Sequence, residues 1–150
     1  MTMVRQFLLL LTLLLHTITH ASTDTLQFLL HFQKDRSVLL PEAAARLDSL
    51  LNVAPLSSDH HFTVQGHTDS DGDLAYNEAL SLARAEEVRS YLVAHGADPT
   101  LVNVERYGER DPMASNARET GMALNRRVVV TYVRHYFADT DELRRALMAG

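Results

Sequence analysis

Short apolar stretches alternate with amphipathic ones along most of the chain, separated by brief polar segments. Residues 61–66 and 101–107 alternate apolar and polar side chains with the period of two that is typical of a half-buried strand. The stretch from Leu74 to His95 has a helical period and stops before Gly96, a frequent helix terminator. The predicted order is strand 26–32, helix 41–54, strand 61–66, helix 74–95, strand 101–107, loop 108–120 and strand 128–133.

Strands and helices that alternate within one small domain indicate a two-layer sandwich, either α+β or α/β, with the helices on one face of the sheet. The 150 residues fit a single domain. There is no cysteine, which excludes disulfides and thiolate metal sites. Beyond the last predicted strand, Asp141 to Met148 has the pattern of a short amphipathic helix in a C-terminal tail, residues 134–150.

The N-terminus follows a different pattern, that of a signal peptide. Arg5 precedes an apolar run from Phe7 to Leu15, and small residues occupy the minus-three and minus-one positions before Ser22. A membrane-spanning helix needs about 20 apolar residues, and this run is shorter. We therefore expect residues 1–21 to be a cleaved export signal and residues 22–150 to form one mature domain. Retention of the segment as an anchor is the alternative.

The net charge of the sequence limits the kinds of molecule that the protein is expected to bind. The sequence has 14 Lys and Arg against 19 Asp and Glu, a formal net charge of −5. Proteins that bind nucleic acid without sequence preference usually carry a basic surplus. The composition therefore argues against a nucleic-acid partner.

Two charged residues are candidates for ligand recognition. On a helical wheel of the 74–95 segment, Arg84 and Asn77 fall within the apolar stripe, where a guanidinium is costly unless it is paired. Arg84 is therefore either a structural cation or a carboxylate-binding one. Asp69 lies in the loop just before this helix, and is either a turn-stabilising residue or an acceptor for an ammonium group. Together the two opposite charges would suit a zwitterion.

Several fixed residues at fixed spacing resemble the OmpA-like C-terminal domain family, over about residues 26–133. They include Gly66-His67-Thr68-Asp69-Ser70-Asp71-Gly72, Arg84-Ala85, Tyr107-Gly108-Glu109 and Asn125-Arg126-Arg127-Val128. The resemblance implies an α+β two-layer sandwich in which a mixed four-stranded sheet is covered by helices in the order β-α-β-α-β…β. It also implies a groove for the diamino acid of peptidoglycan, usually meso-diaminopimelate.

By the same resemblance, Asp69 and Arg84 are the central ligand contacts, and Thr68, Asn77, Asp35 and Arg127 are supporting ones. Arg126 is interpreted as a solvated or fold-supporting charge. The chain departs from the family at Lys34, where an aromatic residue is usual, and at Met122, where an arginine is usual. The expected protein is a periplasmic, non-enzymatic module without metal or cofactor, associated with the cell wall or outer membrane through the peptidoglycan stem peptide.

Two enzymatic alternatives fit the sequence less well. His60, His61, His67 and Asp69 suggest a metal site, but on a straight strand His61 and His67 are about 20 Å apart, too far for one coordination sphere. Ser70 or Ser81 with His67 and Asp69 supplies the residue types of a hydrolase triad. No strand-elbow serine motif accompanies them, and Ser81 lies within a helix.

A third alternative is a periplasmic adaptor that docks on another envelope protein. Its surface would comprise Tyr136, Phe137 and the tail helix. This interpretation is compatible with wall binding. The tail lies outside the family resemblance and is therefore the part expected to carry what is particular to this protein. A helix packed back on its own sheet is the alternative.

Overall fold

The computed structural model describes residues 22–54, 56 and 60–136, and the unit considered below is Asp24–Arg134. Within these residues the elements are β1 (Ser22–His31), α1 (Pro41–Val53), β2 (His60–His67), α2 (Leu74–Ala94), β3 (Val102–Gly108), α3 (Glu119–Asn125) and β4 (Arg127–Tyr136). A 3-10 turn, Pro99–Leu101, leads into β3. The expected signal peptide, Phe137 and the tail helix lie outside the described residues.

The four strands form one mixed sheet in the order β1-β4-β2-β3. Strand β2 is central: it runs parallel to β3 and antiparallel to β4. Phe62, for example, is paired with Val102 on one side and with Tyr132 on the other. The predicted α+β sandwich with a mixed four-stranded sheet is confirmed.

The core lies between the sheet and the two longer helices. Alternate residues of β2, Phe62 and Val64, face the same apolar cluster as Val128 and Val130 of β4. The helices complete the cluster with Leu47, Leu50, Ala85, Val88 and Leu92. Each fully buried aliphatic or aromatic side chain contributes about 1.5–3 kcal/mol, so the helix-facing side of the sheet supplies most of the driving force.

Gly66 sets the distance between α2 and the sheet. A Cβ atom at this position would lie 1.9 Å from the Ser81 carbonyl oxygen, so only glycine permits the observed approach. Ser81 and Arg84 are on the same part of α2, and the close approach therefore brings them to the end of β2, where the loop containing Asp69 begins.

The structure departs from the sequence prediction in one element. Residues from Glu119 onward form the short helix α3, whereas residues up to 120 were expected to be loop. Seven residues make about two turns, too few for a periodic signal. Asn125 holds α3 to the preceding segment, because its Oδ1 accepts from the Met113 and Ala114 amides at 2.9 and 3.0 Å. A contact of this kind joins separate segments of the chain and leaves no periodic pattern in the local sequence.

Candidate ligand-binding site

The loop between β2 and α2 is fixed at both ends by hydrogen bonds. The Thr68 amide donates to the Gly108 carbonyl at 2.8 Å, which ties the start of the loop to the end of β3. Asp69 Oδ1 accepts from the Asp71 amide at 3.2 Å. Asp73 caps α2 by accepting from the Tyr76 amide at 2.7 Å. The loop therefore presents Thr68 and Asp69 from a constrained backbone.

Arg84 lies beneath this loop with its side chain completely buried. Its Nε donates to the Arg36 carbonyl at 2.9 Å, one terminal nitrogen donates to the His67 carbonyl at 2.9 Å, and the other to the Gln33 carbonyl at 3.0 Å. The guanidinium thus joins the loop after β1 to the end of β2. Burial lowers the pKa of Arg84 to about 10, although the nearby Asp69 opposes the shift, and the group remains charged at neutral pH.

Asp69 is also buried, and its partner is Arg126. Arg126 Nη1 donates to Asp69 Oδ2 at 2.8 Å, and Nη2 donates to Glu119 at the start of α3. Burial favours a lower pKa for Arg126, but the hydrogen bonds that Arg126 donates to Glu119 and Asp69 outweigh this effect, and the pKa is raised. Hydrogen bonding to Arg126 lowers the pKa of Glu119. The ion pair with Arg126 fixes the orientation of the Asp69 carboxyl group.

The structure places Arg127 apart from Asp69. Its Nη2 donates to the Asp111 carbonyl at 3.2 Å and lies 3.6 Å from Asp111 Oδ2. Its neighbour Val128 points into the helix-facing core, so alternation along β4 turns Arg127 to the opposite face of the sheet. Sequence reasoning had placed Arg127 at the groove and given Arg126 a fold-supporting role, whereas the structure brings Arg126, and not Arg127, to Asp69.

On that opposite face Arg127 lies near His67, whose ring stacks on Tyr107 at a centroid distance of 5.0 Å. Burial lowers the pKa of His67 to about 4; Arg127 adds to the decrease and Asp111 partly offsets it. His67 is therefore neutral at pH 7. It is a buried structural histidine with its backbone carbonyl, and not its ring, bonded to Arg84.

Three buried side-chain atoms around Asp69 have no hydrogen-bond partner within the described part of the chain: Thr68 Oγ1, Asn77 Oδ1 and Arg126 Nε. The other amide atom of Asn77, Nδ2, donates to Glu109 at 2.5 Å. Buried polar groups in folded proteins are nearly always paired with protein, water or ligand. These three atoms therefore indicate a place where polar ligand atoms can be accommodated.

The exposed edge of the site is formed by side chains from two loops. Asp35, which has a left-handed backbone conformation with φ of 54°, accepts from the Tyr76 hydroxyl at 3.0 Å. Next to it, Lys34 Nζ lies 2.6 Å from Asp71 Oδ2. We call these four residues, Lys34, Asp35, Asp71 and Tyr76, the rim.

Two cavities occur elsewhere in the described residues. One of about 190 Å³ lies between β1 and α1 and is lined by Leu30, Ala43 and Arg46. The other, about 440 Å³, borders the start of α3 near Arg118 and Leu124. Neither includes Asp69 or Arg84. The hydrogen-bonded cluster around Asp69 brings acidic and basic side chains together and is the candidate binding site.

The geometry does not support the enzymatic alternatives. His60 is enclosed by Phe62 and Tyr132 at one end of β2, whereas His67 stacks on Tyr107 at the other. Across residues 22–54, 56 and 60–136, no group of three or more His, Asp or Glu side chains is arranged to hold a metal ion. Ser81 uses its hydroxyl within the fold, donating to the Glu78 carbonyl and accepting from the Gly108 amide.

Residues 31–126 match the model of the OmpA family. The chain belongs to the OmpA family. The matched range contains every residue of the cluster and rim, including Arg126, and ends one residue before Arg127. The family assignment supports the expectation of a non-enzymatic binding module.

Among its relatives, outer membrane protein A of Bordetella avium is 40% identical over 68% of this chain and 53% of its own length. The peptidoglycan-associated lipoprotein of Pseudomonas aeruginosa is 38% identical over 65% of this chain and 58% of its own. The chain thus spans less than two thirds of these curated relatives.

The solved structure of the peptidoglycan-associated lipoprotein from Burkholderia pseudomallei is 28% identical, with a TM-score of 0.56. It covers 69% of this chain and 88% of its own. In the part of the chain that the structure describes, no helix has the length and hydrophobicity that crossing a bilayer requires.

Proposed function

We propose that this protein binds peptidoglycan non-covalently in the bacterial cell envelope and is tethered to the wall by the diamino acid of the stem peptide, meso-diaminopimelate. Residues 1–21 would direct its export to the periplasm. Relatives named for association with peptidoglycan or the outer membrane support both the ligand and the location. The assignment of the ligand's ammonium and carboxylate to individual residues depends on the cluster around Asp69.

The observation that carries the proposal is that charges of both signs lie together in that cluster. The acidic side chains of Asp69 and Glu119 lie beside the basic ones of Arg84 and Arg126. The free end of diaminopimelate in a stem peptide is a zwitterion with an ammonium and a carboxylate on one carbon. A site with separated charges of both signs can attract both groups of such a ligand.

Each charge has a distinct role in this proposal. Asp69 accepts the ligand ammonium, since a carboxylate has about four acceptor positions and its bonds to Asp71 and Arg126 use two. Arg84 supplies positive charge for the ligand carboxylate; its three bonds to carbonyls use three of five N–H donors. Thr68 Oγ1 and Asn77 Oδ1 offer further polar contacts. Arg127 lies on the opposite face of the sheet and has no ligand contact in this proposal.

Co-sedimentation of the whole chain with purified diaminopimelate-type peptidoglycan tests the proposal. Asp69→Asn retains the shape of the side chain but removes its charge, and we expect the wild type to pellet with the wall and this variant to remain largely in solution. Asp48→Asn is the matched control, because it also removes one carboxylate that accepts a hydrogen bond, from the Tyr91 hydroxyl, on a different surface. Equal pelleting of wild type and Asp69→Asn would refute the proposed contact between Asp69 and the ligand ammonium.

A further inference from the structure

The rim differs from the cluster beneath it in the accessibility of its cation. Arg84 is completely buried, and the Arg126 side chain is 8% exposed. Lys34 is 53% exposed, and its partner Asp71 is 44% exposed. Of the three cations that contact this site, Lys34 is therefore the one that a negatively charged group arriving from solvent meets first.

Lys34 is connected to the cluster in two ways, through the residue that precedes it and through its ion-pair partner. The carbonyl of the preceding residue, Gln33, accepts a hydrogen bond from Arg84. The amide of its partner, Asp71, donates a hydrogen bond to Asp69. The Asp71 hydrogen bond raises the pKa of Lys34, with smaller contributions from the charges of Asp35 and Asp69. The ammonium group is thus charged at neutral pH and lies at the mouth of the cluster.

The Lys34–Asp71 pair can exchange partners at low cost. Ion pairs between exposed side chains stabilise proteins by only about 0–1 kcal/mol, so an incoming carboxylate can replace Asp71 as the partner of Lys34. If the end of the diamino acid is held at Asp69 and Arg84, the rest of the stem peptide must leave through the exposed rim. Groups adjacent to the diamino acid then pass Lys34.

We propose that Lys34 is a specificity-determining residue that favours stem peptides with a second free carboxylate next to the diamino acid, over the same peptides with a carboxamide there. This inference rests on the proposed binding of the diamino acid. It assigns a role to the exposed cation of the rim, which can discriminate these two groups by their charge.

The test compares two synthetic stem peptides that share the intact diamino acid and differ only in the α-carboxyl group of the preceding glutamate, which is free in one and amidated in the other. Calorimetric titration of the whole chain should give about two- to fivefold tighter binding of the carboxylate peptide, the range of an exposed ion pair. The preference should decrease as ionic strength rises. In Lys34→Met the ratio should fall to one or below, because Asp71 then lacks its cation.

Two further variants distinguish a role in specificity from a general effect of charge. Lys34→Arg should keep the preference. Arg89→Met removes another cation with an acidic partner, Glu86, in a partly exposed pair away from the rim, and should leave the ratio at the wild-type value. Lys34 is the only lysine in the sequence, so reductive ¹³C-methylation gives one lysine side-chain NMR signal. That signal should shift more with the carboxylate peptide than with the carboxamide.

The outcomes separate the two proposals. If the wild type binds both peptides equally, or Lys34→Met keeps the preference, the inference about Lys34 is overturned while binding of the diamino acid stands. If the wild type binds neither peptide, the proposed function itself fails.

Discussion

Replacement of Arg84 should destabilise the fold as well as affect the ligand. Arg84→Met retains the aliphatic stem but removes three charge-assisted hydrogen bonds to the carbonyls of Gln33, Arg36 and His67. Each such bond contributes about 1.5–3 kcal/mol. Burial lowers the pKa of Arg84 to about 10, and at about 1.4 kcal/mol per pKa unit the opposing cost of burying the guanidinium is about 3.5 kcal/mol. The three bonds together contribute about 4.5–9 kcal/mol, so the expected net loss is about 1–5.5 kcal/mol.

Urea unfolding followed by circular dichroism measures this loss directly. Arg46→Met is the matched control, because Arg46 also donates to a backbone carbonyl, that of Leu29 at 3.0 Å, through a hydrogen bond at the surface. We expect this control to cost less than about 1 kcal/mol. An Arg84→Met loss no larger than that of Arg46→Met would refute the view that Arg84 ties the loop after β1 to the end of β2. A domain of this size has only about 5–15 kcal/mol of stability, so binding assays on Arg84 variants require a measured unfolding curve.

Three further variants test the surroundings of the site. Gly66→Ala should lower the melting temperature strongly, with a loss of at least about 1–3 kcal/mol, because its Cβ would overlap the Ser81 carbonyl. Arg126→Met should cost about 3–5 kcal/mol in urea unfolding, because it leaves the Asp69 carboxylate buried without its cation. His67 has a folded-state pKa of about 4, below its ordinary value of 6.5, so its contribution is complete above pH 6.5 and is lost between about pH 6.5 and 4. Relative to wild type, His67→Gln should therefore gain up to about 3 kcal/mol in unfolding free energy on acidification from pH 7 to pH 4.

These three expectations have clear contrary results. Gly66→Ala with an unchanged melting temperature would show that α2 can move away from the sheet at no cost. Arg126→Met that is as stable as wild type would mean that the Asp69 carboxylate does not need its cation. Parallel pH profiles of wild type and His67→Gln would show that the histidine titrates normally in the folded protein.

The strands, the long helices and the position of Arg84 could be predicted from the sequence, because each leaves a periodic signal. A polar residue within the apolar stripe of a helix is visible on a wheel, and the position of Asp69 in the loop before that helix made it a candidate partner. The resemblance then implied that both residues contact the ligand. The partners of Arg84 could not be predicted in this way: all three are backbone carbonyls, two of them in the loop after β1, and a carbonyl carries no sequence identity.

The choice between Arg126 and Arg127 shows a different limit. The two residues are adjacent, and they point to opposite faces because a strand begins there. Counting by two from Val128 and Val130, both in the core, would have placed position 126 on the helix-facing side. Val129 is also apolar, however, so the alternation is hidden in the sequence. Only the contact between Arg126 and Asp69 shows which face each side chain takes.

The central claim is that Asp69 recognises the ammonium of a zwitterionic diamino acid, and one titration series tests it most directly. The affinity of the whole chain is measured for a soluble stem peptide with intact diaminopimelate and for the same peptide with the free ammonium acetylated, in the wild type and in Asp69→Asn. We predict that acetylation weakens binding to the wild type at least about tenfold, the loss of one charge-assisted hydrogen bond, and that Asp69→Asn binds both peptides equally weakly. Wild type that binds the acetylated peptide as tightly as the intact one, or Asp69→Asn that still discriminates between them, would contradict the account.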